Sequence, residues 1–477
     1  MTEKYEVVIG LEVHLQLNTR SKVFCGCGTK FGAPPNSQTC PVCLGFPGAL
    51  PVLNRQAMTL AIKTALALDC SVSGFTKFDR KHYYYPDLPK NFQISQYDRP
   101  FSHDGRLSID ADGARHTIRI KRVHLEEDAG KLIHDEIADS SLVDYNRAGT
   151  PLLEIVTEPD IFSPQQAYEY LTKLKSILEY LEVSDCNMEE GSLRCDANIS
   201  IRPKGESRLG TKTELKNMNS FKAVKAALEY ETGRQAGLLG SGATIKQETR
   251  LWDSQREITT SMRSKEEAHD YRYFPEPDLM PFVADKEMIE EIRKSIPEMP
   301  DAKRERFKGD YNLSDYDADT ITRDRRLSCF FEDAVSACDD PKQAANWILG
   351  DISKELNDRG ISIDKSPVTP RGLADIIVMI KKGTISGKIA KDVLRQAMDS
   401  GKSPEEIVKE KGLVQISDES ALEKAVDKAI ASNKKSAEDY RSGKESALMF
   451  LMGQVMKETK GKANPKLVNE ILKRKLG

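Results

Sequence analysis

The sequence predicts an α+β protein whose strands and helices are segregated along the chain. Three observations carry this. Up to about Asp285 the chain shows alternating strand patterns, glycine and proline punctuation and aromatic clusters. Beyond Pro297 nearly every segment carries apolar residues at three-to-four spacing. Charge divides the same way. Residues 371–477 hold 22 Lys and Arg against 15 Asp and Glu, a net of +7, so the remainder of the chain carries −10. An acidic body with a basic tail suits two halves that meet different partners. A length of 477 residues is consistent with two to four domains.

In chain order, the first strand is Val7–Leu17. After Gly10 it places Leu11, Val13, Leu15 and Leu17 on one face and Glu12, His14 and Gln16 on the other. Two helices are expected to interrupt the strand-rich body. Ser163 caps the first and Pro164 starts it, ahead of Ala167, Tyr170, Leu171, Leu174, Ile177, Leu178 and Leu181. The second runs from about Ser220 to Gln235, with Phe221, Val224, Ala227 and Leu228 on one face. Between them, Gly205-Glu-Ser-Arg-Leu-Gly210-Thr-Lys-Thr looks like a phosphate loop, but Thr211 displaces the lysine by one position. With no helix immediately following, it reads as a hairpin turn. Further on, helices are expected at Leu373–Ile380, Ile389–Met398, Ala421–Ile430 and Lys444–Met456. Breaks fall at Pro297–Pro300, Ser366–Pro370 and Gly401–Pro404.

Composition excludes several classes. With 39% hydrophobic residues the chain can build packed cores and is not globally disordered. No uncharged apolar run approaches the roughly 18 residues of a membrane span, so no membrane partner is expected. The chain enters a strand-like segment at once, and no signal or transit peptide is expected. Nine cysteines, an odd number, argue against a disulfide scaffold and for free thiols or a metal site. A cytoplasmic protein follows as the expectation.

Cys25-Gly-Cys27 and Cys40-Pro-Val-Cys43 are two close pairs across a short loop. Four thiolates at this spacing suit the closed tetrahedral geometry of structural zinc, with no open position for catalysis. The other cysteines (70, 186, 195, 329 and 338) lack such spacing and are expected to pack.

Carboxylates recur inside otherwise apolar strands. Leu152-Leu-Glu154-Ile-Val156 embeds one acid among four large apolar residues, and His124-Leu-Glu126-Glu127-Asp128 places three acids before a glycine turn. The segment Arg194–Arg202 sets Asp196, Asn198, Ser200 and Arg202 on one face. If Glu12, Glu127, Glu154 and Asp196 converge, each like-charged pair at 4 Å costs about 4 kcal/mol at an effective dielectric of about 20. They could not all stay ionised without a cation. Hard oxygens with one imidazole suit magnesium or manganese better than zinc. Independent acids are the competing interpretation of the same pattern. Two aromatic-basic stretches, Asp79–Lys90 and Asp270–Asp278, suit cleft walls; Lys212–Ser220 adds lysines, amides and a hydroxyl near a helix start.

These segments together resemble the GatB family, the B subunit of the tRNA-dependent aspartyl/glutamyl amidotransferases. The resemblance is carried by Val8-Ile-Gly-Leu-Glu-Val-His14, Phe78-Asp-Arg-Lys81 with Tyr85-Pro-Asp87, His124-Leu-Glu-Glu-Asp-Ala-Gly-Lys131 and Asn146-Arg-Ala-Gly-Thr-Pro-Leu-Leu-Glu154. It continues through Met188–Asn198, Glu214-Leu-Lys-Asn-Met-Asn219 and Tyr271-Arg-Tyr-Phe-Pro-Glu-Pro-Asp278. The matches are dense over the first 280 residues and weaker in the helical remainder.

The resemblance implies an antiparallel-sheet cradle as catalytic domain over 1–295, including a zinc knuckle at 25–43. It implies a helical domain over 296–404 and a tRNA-binding helical tail over 405–477. The implied activity is ATP-dependent phosphorylation of the side-chain carboxylate of misacylated Glu-tRNA(Gln) or Asp-tRNA(Asn). Ammonia then displaces phosphate. It comes from glutamine hydrolysed by the A subunit, an amidase (glutaminase), in a complex that also holds a small C subunit. By the same analogy His14, Glu127 and Glu154 hold a standing magnesium, and Glu12 and Asp196 join a second ion arriving with ATP. Lys81, Tyr85, Lys216 and Asn219 are the expected residues of the ATP and substrate cleft, and Cys25, Cys27, Cys40 and Cys43 hold zinc. Two alternatives are a tRNA-binding scaffold without turnover and a carboxylate–amine ligase acting on a small molecule. Metal ligands on strand faces argue against the first, and the basic tail against the second.

Overall fold

The computed structural model describes residues 4–135, 140–264, 271–413, 419–459 and 463–477. The chain divides into two compact units, Met1–Met299 and Pro300–Gly477.

The first unit is built on a nine-stranded sheet. Its order is Ile258–Ser264, Glu248–Asp253, Thr213–Lys216, Leu193–Pro203, Tyr5–Gln16, Pro151–Thr157, Ala114–Glu127, Ser102–Ala111 and Ser71–Val72. Among the described residues every ladder of the sheet is antiparallel except one: Thr213–Lys216 runs parallel to Glu248–Asp253. The cause is the helix Phe221–Gly240 between them, because parallel neighbours need a crossover. The phosphate-loop lookalike joins two antiparallel strands and is the expected turn.

Strand Tyr5–Gln16 is central, and its alternation decides what each face does. Leu11, Val13 and Leu15 are buried with Val123, Leu125, Leu153, Ile155, Ala197 and Ile199 in the main core. The helices Pro164–Tyr180 and Phe221–Gly240 contribute Tyr170, Leu171, Leu174, Val224 and Leu228 to it. The other face carries the polar side chains. Both expected helices form, each capped by the serine before it. A third helix, Arg55–Ala67, corrects the expected two. Asn54 caps it, and Ala57, Met58, Leu60, Ala61, Ile62 and Ala65 are buried. Its apolar face is wide and its polar stripe, Gln56, Thr59 and Lys63, is narrow, which weakens the pattern by which a surface helix is recognised. Helix Lys286–Lys294, capped by Asp285, ends the strand-rich region.

The second unit is helical and has two separate apolar cores. One contains Phe307, Phe331, Leu373, Ile377, Val393, Leu394, Ile407 and Val408. The other contains Leu422, Val426, Leu451, Val455, Val468 and Leu472. Helix Pro404–Glu410 straddles the expected division at 404/405. It packs, with the Leu413 that follows it, into the first of these cores. No helix among the described residues is long and apolar enough to cross a membrane.

Candidate metal centre and carboxylate face

Antiparallel register brings the acids together. On the polar face Glu12 stands opposite Asp196 and His14 opposite Arg194 on one side. On the other side His14 stands opposite Glu154, and Glu154 in turn opposite His124. Strand alternation then places Glu126, two residues beyond His124, on the same face. The result is a cluster in which His14 Nε2 lies 3.7 Å from Glu154 Oε2 and 4.0 Å from Glu126 Oε1. Ligand atoms of His14, Glu126 and Glu154 all lie within 4.8 Å of one another.

Glu127, expected in this cluster, is not in it. It follows the phase of Val123 and Leu125, so its side chain leaves the opposite face of the strand. There Lys90 Nζ lies 2.5 and 2.6 Å from its two oxygens, and the Ile94 amide donates to it at 2.8 Å. Glu126 takes the place expected for Glu127. The apolar Leu125 between His124 and Glu126 is the sequence signal for this phase.

The electrostatics are those of a crowded anionic site. Burial would raise the Glu154 carboxyl, yet His124, His14 and Lys81 hold it well below the ordinary carboxylate range. Glu126 follows the same logic: burial is outweighed by the His124 hydrogen bond and the Lys81 charge. Burial opposes charge on His124, but Glu154 and Glu126 push its imidazole up to about 9. Glu12 moves the other way. Burial first, then the negative charges of Glu154, Asp196 and Glu214, raise its carboxyl, while Asn198 Nδ2 donates to it at 3.0 Å. Two hard carboxylates converging with the His14 imidazole fit magnesium at His14, Glu126 and Glu154, with the His124 imidazole beside both carboxylates.

Cations also reach this face. Lys216 is hydrogen-bonded to Asp196 and lies 3.2 Å from Glu214. Lys81 is held between aromatic rings, its Nζ 4.9 Å from the Tyr271 ring centroid and 5.7 Å from that of Tyr83. Burial is outweighed there by Glu126 and Glu154, which raise the Lys81 ammonium above its ordinary value. Lys81, Tyr85 and Lys216 line one cavity of about 540 Å³ with Tyr83, Thr249 and Tyr271. Asn219 is elsewhere, in a second cavity of about 520 Å³ whose wall includes Gln16, Arg194 and Asp196. Of the second aromatic-basic stretch, Asp270 lies outside the described residues.

The four expected cysteines also converge, with the Sγ atoms of Cys25, Cys27, Cys40 and Cys43 within 4.8 Å of one another. The Cys25 hydrogen bond and the Lys22 ammonium, 3.5 Å away, draw the Cys43 thiol down to about 4. Contact with Cys43 and burial push Cys25 strongly up. One ready thiolate beside thiols that resist ionisation is the pattern of a site completed by a cation, and four sulfurs suit tetrahedral zinc. Of the remaining cysteines, 70, 186, 195 and 338 are buried as expected. Cys329 is exposed and is not a packing residue.

Residues 7–290 match the family model of the GatB/GatE catalytic domain, and residues 329–476 match that of the GatB domain. The chain belongs to the GatB family. It is 57% identical over 476 residues to the B subunit of the aspartyl/glutamyl-tRNA(Asn/Gln) amidotransferase of Carboxydothermus hydrogenoformans, covering 99% of both chains. It is 58% identical over 473 residues to the protein of that name from a Thermoanaerobacter species, again covering 99% of each. Its counterpart in Brevibacillus brevis is 54% identical over 469 residues, with 98% of each covered. This GatB-family chain therefore matches those relatives along their whole length, in the sheet unit and the helical unit alike.

Proposed function

We propose that this chain is the ATP-dependent kinase and transamidase component of a tRNA-dependent amidotransferase. It converts Glu-tRNA(Gln), Asp-tRNA(Asn) or both to Gln-tRNA and Asn-tRNA. The observation that carries this reading is the strand face on which His14, Glu126 and Glu154 converge and which Glu12 and Asp196 extend.

The reaction has two steps. A side-chain carboxylate oxygen of the esterified amino acid attacks the γ-phosphorus of ATP, giving an acyl phosphate and ADP. Ammonia then adds to the acyl carbon, the carbon–oxygen bond to phosphate breaks, and the amide forms with release of phosphate and a proton. Magnesium at His14, Glu126 and Glu154, joined by Glu12 and Asp196 when nucleotide arrives, would neutralise and orient the phosphates. Lys81 and Lys216 supply positive charge in the cavity they share, and Tyr83, Tyr85 and Tyr271 give it aromatic walls. Asn219 serves the neighbouring cavity, where amides and Arg194 can orient polar groups. Zinc on the four cysteines braces the loop from Cys25 to Cys43 and takes no part in the chemistry.

The identity to amidotransferase B subunits supports a heteromeric complex. Ammonia is supplied by the glutaminase (A) partner, a small C subunit completes the assembly, and the basic helical tail holds the tRNA backbone. A cytoplasmic setting agrees with free cysteines.

The test is ATP hydrolysis by the chain co-expressed with its amidase partner, with and without mischarged tRNA, for wild type and Glu12→Ala. Stimulation by Glu-tRNA or Asp-tRNA that disappears in a folded Glu12→Ala variant supports the kinase reading. Equal rates with and without tRNA, unchanged by the substitution, would make the chain a tRNA-binding scaffold.

A further inference from the structure

His124 belongs to none of the sites assigned above, yet it is a deeply buried polar side chain, only 2% exposed. The register sets it directly opposite Glu154 and two residues before Glu126. Its Nε2 lies 3.2 Å from Glu154 Oε2 and 3.4 Å from Glu126 Oε2. Its Nδ1 is buried without a hydrogen-bond partner among the described residues. All the polar capacity the ring uses is therefore directed at these two carboxylates.

The consequence is clearest at Glu126, whose two oxygens are divided. Oε2 accepts from Ser95 Oγ at 3.0 Å and faces His124. Oε1 is left on the side of His14, 4.0 Å from its Nε2. A carboxylate free to rotate about its last torsion would not keep one oxygen aimed at the imidazole. Among the described residues His124 Nε2, 3.2 Å from Glu154 Oε2, is the nearest side-chain partner of that carboxylate, ahead of His14 at 3.7 Å, and so constrains its angle too.

We infer that His124 is a positioning residue that holds Glu126 and Glu154 in the orientation a divalent cation needs, without itself being a ligand. This rests on the reading of His14, Glu126 and Glu154 as the cation site. Outer partners of metal-bound carboxylates typically contribute roughly 10–100-fold in metal affinity. The same is expected of His124.

The experiment uses the full chain and Mn²⁺ as a paramagnetic stand-in for Mg²⁺, with bound ion followed by electron paramagnetic resonance and affinity taken from titration. His14→Ala and Glu154→Gln report on the underlying reading: Mn²⁺ binding that survives both in folded protein removes the cation site and the inference with it. With that site established, His124→Leu is expected to weaken Mn²⁺ roughly 10–100-fold. His124→Gln, whose side-chain amide can donate from nearly the position of Nε2, is expected to restore most of the affinity. Nitrogen couplings should report one imidazole on the ion in both wild type and His124→Gln. Wild-type or tighter binding by His124→Leu would overturn the inference while leaving the cation site standing. So would a second imidazole coupling that His124→Gln removes, since His124 would then be a ligand. Thermal melting of both variants, with His124→Gln as the conservative partner, separates loss of affinity from loss of fold.

Discussion

Across the ladder between the two central strands, His14 stands opposite Glu154 with its Nε2 3.7 Å from the carboxylate. The two residues are far apart in sequence and are brought together by register alone. A slip of one residue would carry one partner through the sheet to the core face. The apolar sets Leu11, Val13, Leu15 and Leu153, Ile155 fix that register, so the core specifies the site.

Replacing either member therefore removes a ligand and leaves the strand intact. Glu154→Gln and His14→Ala are expected to fold, to lose divalent-cation binding by more than the roughly 10–100-fold typical of an outer-shell change, and to lose tRNA-stimulated ATP hydrolysis. Isothermal titration with Mg²⁺ and a phosphate-release assay check this. Intact Mg²⁺ affinity in both variants would remove the assignment.

Glu126 and Glu127 should behave oppositely. Glu126→Gln is expected to abolish cation binding at little cost to stability. Glu127→Ala should leave cation affinity near wild type while stranding Lys90, whose partner it is in a nearly dry setting. Breaking a buried pair from one side costs about 3–5 kcal/mol, which urea unfolding would read directly. Reversed phenotypes would mean that the strand runs in the other phase.

Much of this site is legible in the sequence. The alternation of Val7–Leu17 reveals the faces of the central strand, and the Cys25–Cys43 spacing reveals the thiol cluster, because both are local patterns. Glu127 is a different matter. Three acids in a row offer charge at both phases; Leu125 is a weak local signal of the apolar phase, and the pairing of His124 with Glu154 across the ladder decides it. The role of His124 depends on Glu154 opposite it, a relationship no local pattern contains. Lys216 and Asn219 are close in sequence, yet the turn between them sends the chain from one cavity to the other. Helix Arg55–Ala67 is harder to see because its polar stripe, Gln56, Thr59 and Lys63, is narrow beside a wide apolar face.

Metal removal gives a separate check on the cysteine cluster. One zinc per chain is expected by atomic spectroscopy, lost in Cys40→Ser and Cys43→Ser. Chelation should lower the melting temperature and loosen the 25–43 loop without abolishing Mg²⁺ binding on the strand face. The pH dependence has a fixed sign. Zinc must displace the thiol protons, and Cys25 holds its proton strongly, so zinc affinity should fall as pH falls. A zinc content unaffected by both serine variants would exclude this site.

Glu231 offers the strongest stability prediction. It is fully buried on helix Phe221–Gly240, and Arg234 donates to it at 2.6 and 2.8 Å. Gln235 donates at 2.9 Å, Thr259 at 3.2 Å, and Arg250 lies 3.7 Å away. These partners tie the helix to the strands Glu248–Asp253 and Ile258–Ser264, beside the one parallel ladder described in the sheet. Glu231→Ala removes the buried anion of two guanidiniums, which keep Glu248 at 3.6 Å from Arg234 and 2.7 Å from Arg250, so a loss toward the lower end of about 3–5 kcal/mol is expected. Glu231→Gln keeps the shape and some of the hydrogen bonds and should lose less. Mg²⁺ affinity of whatever remains folded should be unchanged, because the network lies off the carboxylate face. Denaturant unfolding of both variants, with Mg²⁺ titration below the transition, measures each part. A Glu231→Ala protein as stable as wild type would show that Glu248 alone suffices for the two arginines.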